Sequence, residues 1–222
     1  MTLLIGASIF MTGTGPAGAS DMGFRFNMPI YPKFFPPPQG DNWIALPYLN
    51  PYVTAEDLCV ALSLPTGPLY PFSRVSQLDA TTGFGSLHEC GEPGPFTIRP
   101  GVGVLVQTPF PTPTISGIIS GSHPSGTSYT ILPAGFPPPI GWNYYAVPYN
   151  STAVYAQDLC AQFGLPVGTR ISWLDPTLPL PYSTWDCWDP GGRGFELVLG
   201  QAVLIRNFAP LSPAITVTPQ HF

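Results

Sequence analysis

The stretch FPPPQGDNWIALPYLNPYVTAEDLCVALSLPTG, residues 35–67, occurs again as FPPPIGWNYYAVPYNSTAVYAQDLCAQFGLPVG, residues 136–168. The two copies align without a gap, and more than half of the aligned positions are identical. Internal similarity of this kind indicates a structural repeat. The chain therefore contains two copies of one folding unit, each of about 100 residues, which is an ordinary size for a small domain.

The similarity continues beyond these stretches in the same order. Residues 74–79 (RVSQLD) match residues 170–175 (RISWLD), and residues 101–106 (GVGVLV) match residues 200–205 (GQAVLI). The turn-rich stretch GSHPSG at residues 121–126 predicts the junction between the two units.

The N-terminal stretch predicts export. Residues 2–11 are an apolar run that is too short to span a bilayer. Small residues follow at 17–19 in an A-x-A pattern, which is typical of a signal peptide cut after Ala19. The alternative is an apolar N-terminal strand that the mature chain retains. We therefore divide the chain into a signal peptide or apolar N-terminal segment at 1–19, a first β module at 20–123 and a second at 124–222.

Short β-rich runs bounded by proline or glycine predict strands at residues 43–48, 74–78, 104–108 and 115–119. One helix is expected in each unit, because apolar residues recur with helical spacing. These positions are Ala55, Leu58, Cys59 and Leu62 in the first unit and Ala156, Leu159, Cys160 and Phe163 in the second. The predicted fold class is mainly β, with two tandem small domains that resemble a β-barrel or sandwich, each with one short α-helix.

The composition narrows the class of protein. The 222 residues include 31 prolines and 24 glycines, which would suggest disorder, but 44% are hydrophobic and provide material for a core. Only 9% are charged and the net charge is −5. A nucleic-acid-binding protein needs a basic face, so nucleic acid is excluded as a partner. Beyond the N-terminal stretch, no segment of the sequence is long and apolar enough for a membrane span.

Each unit carries two cysteines, and the repeat selects one of the three pairings that four cysteines allow. Because both units should fold alike, we predict the disulfides Cys59–Cys90 and Cys160–Cys187. Disulfides agree with export. A zinc site is the rival interpretation, but it needs closely spaced ligands of the C-x-x-C type, and the sequence has none. We therefore expect no metal and no cofactor.

The candidate catalytic residues are few. The histidines, His88, His123 and His221, belong to no zinc or nucleophile motif and are predicted to lie on the surface or in turns. Charged residues shared by the two units are predicted to cap helices and form ion pairs. They are Asp57, Arg74 and Asp79 with their counterparts Asp158, Arg170 and Asp175. A paired-carboxylate glycosidase site and a calcium site are the alternatives for these residues. We expect no catalytic residue.

The second unit contains four of the five tryptophans. Aromatic rings that are exposed can stack on sugars, so Trp173, Tyr182, Trp185 and Trp188 are the best candidates for a ligand-binding surface. The alternative, and the expected main role of these rings, is packing in the core or between the domains, because buried aromatic side chains dominate core energetics.

The sequence also resembles repeat modules of large bacterial secreted and cell-surface proteins. The resemblance lies in an N-x-x-x-L-P-Y stretch, a D-L-C helix, an S-x-L-D segment and a P-G-x-G strand, which are residues 42–48, 57–59, 76–79 and 100–103 here. The second unit departs from the last motif at residues 199–203. The resemblance covers both units and implies a location and a repeat organisation, but no reaction and no catalytic residues.

Together these observations predict a non-enzymatic extracellular structural or assembly protein, a subunit of a surface layer or filament. Low charge suits protein–protein contacts, since charged residues are depleted at the cores of interfaces. The expected partners are other protein subunits, including copies of the same chain. The alternative is a carbohydrate-binding or adhesive module with a glycan as its partner, and an enzyme is the third hypothesis.

Overall fold

The structure is a computed structural model that describes residues 24–32, 40–66, 72–82, 85–109, 113–123, 126–134, 141–149, 151–175, 182–208 and 213–220. The predicted signal peptide, or apolar N-terminal segment, lies outside the described residues. His221 and the side chain of Tyr182 lie outside them as well.

Within these described residues, each unit contains a four-stranded sheet, a two-stranded sheet and one helix. The first unit comprises β1 (Phe24–Ile30), β2 (Asp41–Ile44), α1 (Ala55–Ala61), β3 (Arg74–Leu78), β4 (Gly85–Glu89), β5 (Val104–Gln107) and β6 (Ile115–Gly121). The second comprises β7 (Tyr129–Ile131), β8 (Trp142–Ala146), α2 (Ala156–Phe163), β9 (Thr169–Leu174), β10 (Tyr182–Asp186), β11 (Ala202–Asn207) and β12 (Ile215–Val217).

The two units share one topology. The larger sheets have the strand orders β2-β5-β3-β4 and β8-β11-β9-β10, and the smaller sheets are β1-β6 and β7-β12. All of these strand pairs are antiparallel. The described residues form no closed barrel, so the sandwich-like alternative is the one found. The mainly β fold with two similar domains and one helix in each is confirmed.

In the first unit, alternation of buried and less buried residues along the strands places the core on one face of the large sheet. In the first unit Val75, Val104 and Val106 are fully buried, whereas their neighbours along the strands are less buried. The predicted face of α1 packs on this layer, and Ala55, Leu58 and Cys59 are its buried residues. The second unit repeats the arrangement around α2.

One predicted strand ends earlier than expected. We expected a strand over residues 43–48, but β2 ends at Ile44. The reason is that the chain leaves its own sheet there and pairs with the other unit: the N–H of Ala45 donates to the carbonyl of Gly200 at 2.8 Å. The strands predicted at 74–78, 104–108 and 115–119 correspond to β3, β5 and β6.

A buried asparagine joins three segments in each unit. The side-chain amide of Asn42 donates to the carbonyls of Tyr31, Gly40 and Val106, and its oxygen accepts from the N–H of Tyr31. Asn143 makes the same four bonds in the second unit, with Leu132, Gly141 and Ile205. Both side chains are therefore satisfied although almost no water reaches them.

Candidate functional site

Both predicted disulfides are present, and all four cysteines are paired. Cys59 on α1 bonds to Cys90, which directly follows β4, and Cys160 on α2 bonds to Cys187, which directly follows β10. Each bridge therefore ties the helix of a unit to an outer strand of its large sheet. Disulfides persist in oxidising environments, which is compatible with an extracellular protein.

The shared acidic residues cap the helices, as predicted. Asp57 accepts from the N–H groups of Thr54 at 2.8 Å and Val53 at 3.0 Å. Hydrogen bonding to Thr54, first from its backbone N–H, holds the pKa of the Asp57 carboxyl below its ordinary value. Asp158 accepts from the two equivalent N–H groups of the second unit. These carboxylates are engaged in fixing the start of each helix.

The shared arginines form ion pairs across neighbouring strands. Arg74 binds Glu89 at 2.8 Å, and Arg170 binds Asp186 through two hydrogen bonds. Asp79 pairs instead with Arg99 at 3.2 Å. These contacts support the predicted role in ion pairing.

Two histidines are buried, contrary to the prediction that they lie on the surface or in turns. The Nε2 atom of His88 lies 2.6 Å from a carboxylate oxygen of Glu56, which also accepts from the N–H of Gly91. Partial burial raises the pKa of Glu56, but the bonds to Gly91 and His88 outweigh it and hold the pKa below the ordinary value. His123 packs edge-on against the ring of Tyr48. A polar partner 32 residues away keeps His88 inside, and no local sequence pattern shows such a partner.

Glu56, Cys59 and His88 bring three potential metal-ligand atoms within 4.8 Å of one another. The sulfur of Cys59 is bonded to Cys90, however, and a metal ligand has to be a free thiolate. The second unit has Gln157 and Trp185 at the positions of Glu56 and His88, as the strand register shows. At this place the second unit therefore has neither the carboxylate nor the imidazole of the first unit.

The predicted aromatic cluster of the second unit does not form one exposed surface. Trp185 is buried in the core, and Trp173 packs against the core and stacks with Phe195. Trp188 is 44% exposed. Tyr182 lies on β10, and its side chain is outside the described residues. Packing, which was the alternative for this cluster, accounts for the positions of Trp173 and Trp185.

The contacts between the units are related by an approximate two-fold axis. The N–H of Ala45 donates to Gly200, and the N–H of Ala146 donates to Gly101. Ala45 corresponds to Ala146 in the repeat, and Gly101 corresponds to Gly200. The same exchange holds for the backbone bridges Ile44–Gln201 and Val102–Tyr145. A contact in which each side presents the same surface is the isologous type found in two-fold dimers.

Aromatic side chains lie on this axis. The ring of Trp43 stacks on the ring of Tyr144, its counterpart in the repeat, with the centroids 4.0 Å apart and the planes 8° from parallel. Beside them, a Cβ atom added to Gly103 would overlap the Cβ of Ala202, again its counterpart. We call this contact between the units the seam. Small residues at its centre let the two backbones approach closely.

Comparison of the chain with protein-family models, curated proteins and solved structures found no match. No helix in the described part of the chain is long and apolar enough to cross a membrane. The assignment of a function therefore depends on the residues and contacts described above.

Proposed function

We propose that this chain is a non-enzymatic extracellular structural or assembly protein, a stiff subunit that packs against other protein. The observation that carries the proposal is the apolar character of its exposed surface. Val53, just before α1, is 64% exposed, and its counterpart Val154, just before α2, is 49% exposed. Large exposed apolar patches on soluble proteins often mark sites of interaction with other proteins.

Other large apolar side chains are exposed as well, and only 9% of the chain is charged. Interface cores are depleted in charged residues, so such a surface suits contact with protein. The further exposed side chains include Leu49, Val60, Leu87, Val167, Trp188, Val198, Leu199 and Phe208.

The internal contacts support a stiff subunit. One disulfide crosses each unit, and backbone hydrogen bonds and stacked rings join the units at the seam. Asp57 and Asp158 accept from N–H groups at the helix starts, and Asp79 pairs with Arg99, so these three carboxylates are engaged in holding the fold together. These contacts favour a structural role over catalysis by paired carboxylates.

The proposal is tested by isolating the native protein with its disulfides intact and measuring its mass and shape by sedimentation and electron microscopy. We expect assemblies larger than one chain. The double variant V53E/V154E should shift the protein toward a single chain, because it places two charges at apolar contact positions.

The matched control is Q157E, which adds a charge at an exposed polar position where the first unit already has Glu56. This variant should assemble like the wild type. A native protein that sediments as one chain at all concentrations would contradict the proposal, as would assembly by V53E/V154E equal to that of the control.

A further inference from the structure

A cavity of about 100 Å³ lies beside the seam, on the face of the second large sheet that points away from its core. Three aromatic side chains, Trp43, Trp142 and Tyr144, form one part of its wall, and Leu174 and Leu204 form another. Trp142 is 38% exposed, so the cavity is reached from solvent. Pockets for small molecules are concave and mostly apolar, with few polar groups that fix the ligand, and this cavity has that character.

Two polar side chains enter the cavity, Ser172 and Arg206. The hydroxyl oxygen of Ser172 and the Nε atom of Arg206 are buried, and neither has a hydrogen-bond partner among the described residues. Buried polar atoms in folded proteins are nearly always bonded, so an unbonded pair that lines one cavity calls for a partner from outside the chain. That partner has to accept a hydrogen bond from Nε of arginine.

The first unit has a different pair of side chains at the positions that correspond to Trp142 and Arg206. Across its large sheet, Asp41 and Gln107 face each other on β2 and β5, and their side chains are hydrogen-bonded at 2.6 Å. The strand register places Trp142 and Arg206 at the corresponding positions of β8 and β11. The second unit thus has an arginine where the first has glutamine, and a tryptophan where the first has the carboxylate opposite.

The substitution leaves positive charge on this face. Arg206 lies directly opposite Arg170 on β9, and Asp186 binds Arg170 through both of its oxygens. The guanidinium of Arg206 stacks over the ring of Trp142 at 5.0 Å, which holds its plane in place. Asp186 is thus engaged by Arg170, and among the described residues no ion pair to Arg206 is found.

We propose that this cavity binds a small carboxylate with an apolar ring as its body. The carboxylate accepts hydrogen bonds from Arg206 and Ser172, and the ring packs among Trp43, Trp142 and Tyr144. Arginine favours carboxylates because its planar fork matches their geometry. A sugar acid fits less well, because its hydroxyl groups would be buried against the leucines without partners.

The test uses phenylacetate as the probe and its neutral analogue phenylacetamide as the comparison, with binding to the purified full chain measured by calorimetry and ligand-observed NMR. We expect phenylacetate to bind, and R206Q to weaken it about tenfold or more, because a charge-assisted hydrogen bond is lost. The control R193Q removes the exposed arginine that stacks on Tyr155, away from the cavity, and should leave binding unchanged.

A second variant, W142D/R206Q, recreates the Asp41–Gln107 pair of the first unit and is therefore expected to fold even if R206Q does not. It should bind no phenylacetate. The proposal is overturned if phenylacetate does not bind at millimolar concentration, if phenylacetamide binds equally well, or if the folded variants bind like the wild type. Tighter binding of glucuronate than of phenylacetate would overturn the apolar body of the ligand in favour of a sugar acid.

Discussion

At the scale of single residues, the side chains of Asn42 and Asn143 link several segments of the fold by hydrogen bonds. Each side chain makes four hydrogen bonds to backbone groups of three separate segments, and each is buried. Replacing either one with alanine leaves several backbone groups buried without a partner. A buried group that loses its partner costs more than the net value of a hydrogen bond.

We therefore expect N143A to lower the free energy of unfolding by about 3 kcal/mol, and N42A to do nearly the same. Urea unfolding followed by circular dichroism measures the loss. The control is N27A, which removes an exposed asparagine from β1 and should change the stability very little. A loss for N143A no larger than that for N27A would show that water replaces these bonds.

The repeat itself carries a signal for these asparagines. Asn42 and Asn143 are identical in both units and stand in otherwise apolar β-rich stretches. A polar residue kept at one place in both copies of a strand indicates a structural hydrogen bond. Its three carbonyl partners cannot be inferred, however, because two of them lie on other segments of the chain.

At the scale of elements, the disulfides fasten each helix to its sheet. The bridges close loops with sequence separations of 31 and 27 residues. We expect the double variant C160A/C187A to lose about 3 kcal/mol of stability, because the unfolded chain regains the freedom that the closed loop removes. Thermal unfolding of the oxidised protein and the variant gives the difference.

The first unit supplies the comparison for this prediction. C59A/C90A should lose a similar amount, because its loop is only slightly longer. If removal of one bridge melts only its own unit, the transition should separate into two steps. A single unchanged transition for both double variants would mean that the bridges contribute nothing to stability.

The elements were predictable where the pattern is local or repeated. The helical face of α1 and the pairing of the cysteines were both visible, because spacing along one helix and agreement between two copies decide them. The end of β2 was not, since Ala45 pairs with Gly200 in the other unit and no periodicity in residues 43–48 shows that partner. Packing of Trp185 in the core was one of the two interpretations of the aromatic cluster, but the sequence could not show which ring is buried, because an aromatic residue on a strand has the same spacing on either face.

At the scale of the whole molecule, the seam makes one body of two units. Gly103 faces Ala202 at its centre, and there is no space for a larger side chain. We expect G103V to force the backbones apart and to lower stability by about 1 to 3 kcal/mol, the usual cost of overpacking. Hydrogen exchange should show the amides of Ala45 and Ala146 losing protection, because both donate across the seam.

The matched control is G85V on β4, where the nearest atom to an added Cβ is 3.9 Å away. This variant should keep the protection of Ala45 and Ala146. Equal protection of these amides in G103V and in the wild type would show that the seam tolerates the larger side chain. The overlap at Gly103 would then be relieved by small shifts within one unit.

The approximate two-fold axis of the seam has a genetic consequence. In a dimer of identical chains, every substitution appears on both sides of the axis. A change that is favourable at one site is therefore also made at the symmetry-related site. Here the two halves are encoded separately. Asp41 lies beside Gln107 in one half while Trp142 lies beside Arg206 in the other, and His88 lies beside Glu56 while Trp185 fills the matching place. Because the halves are separate parts of one chain, one half can have these polar pairs while the other half has different residues at the matching positions.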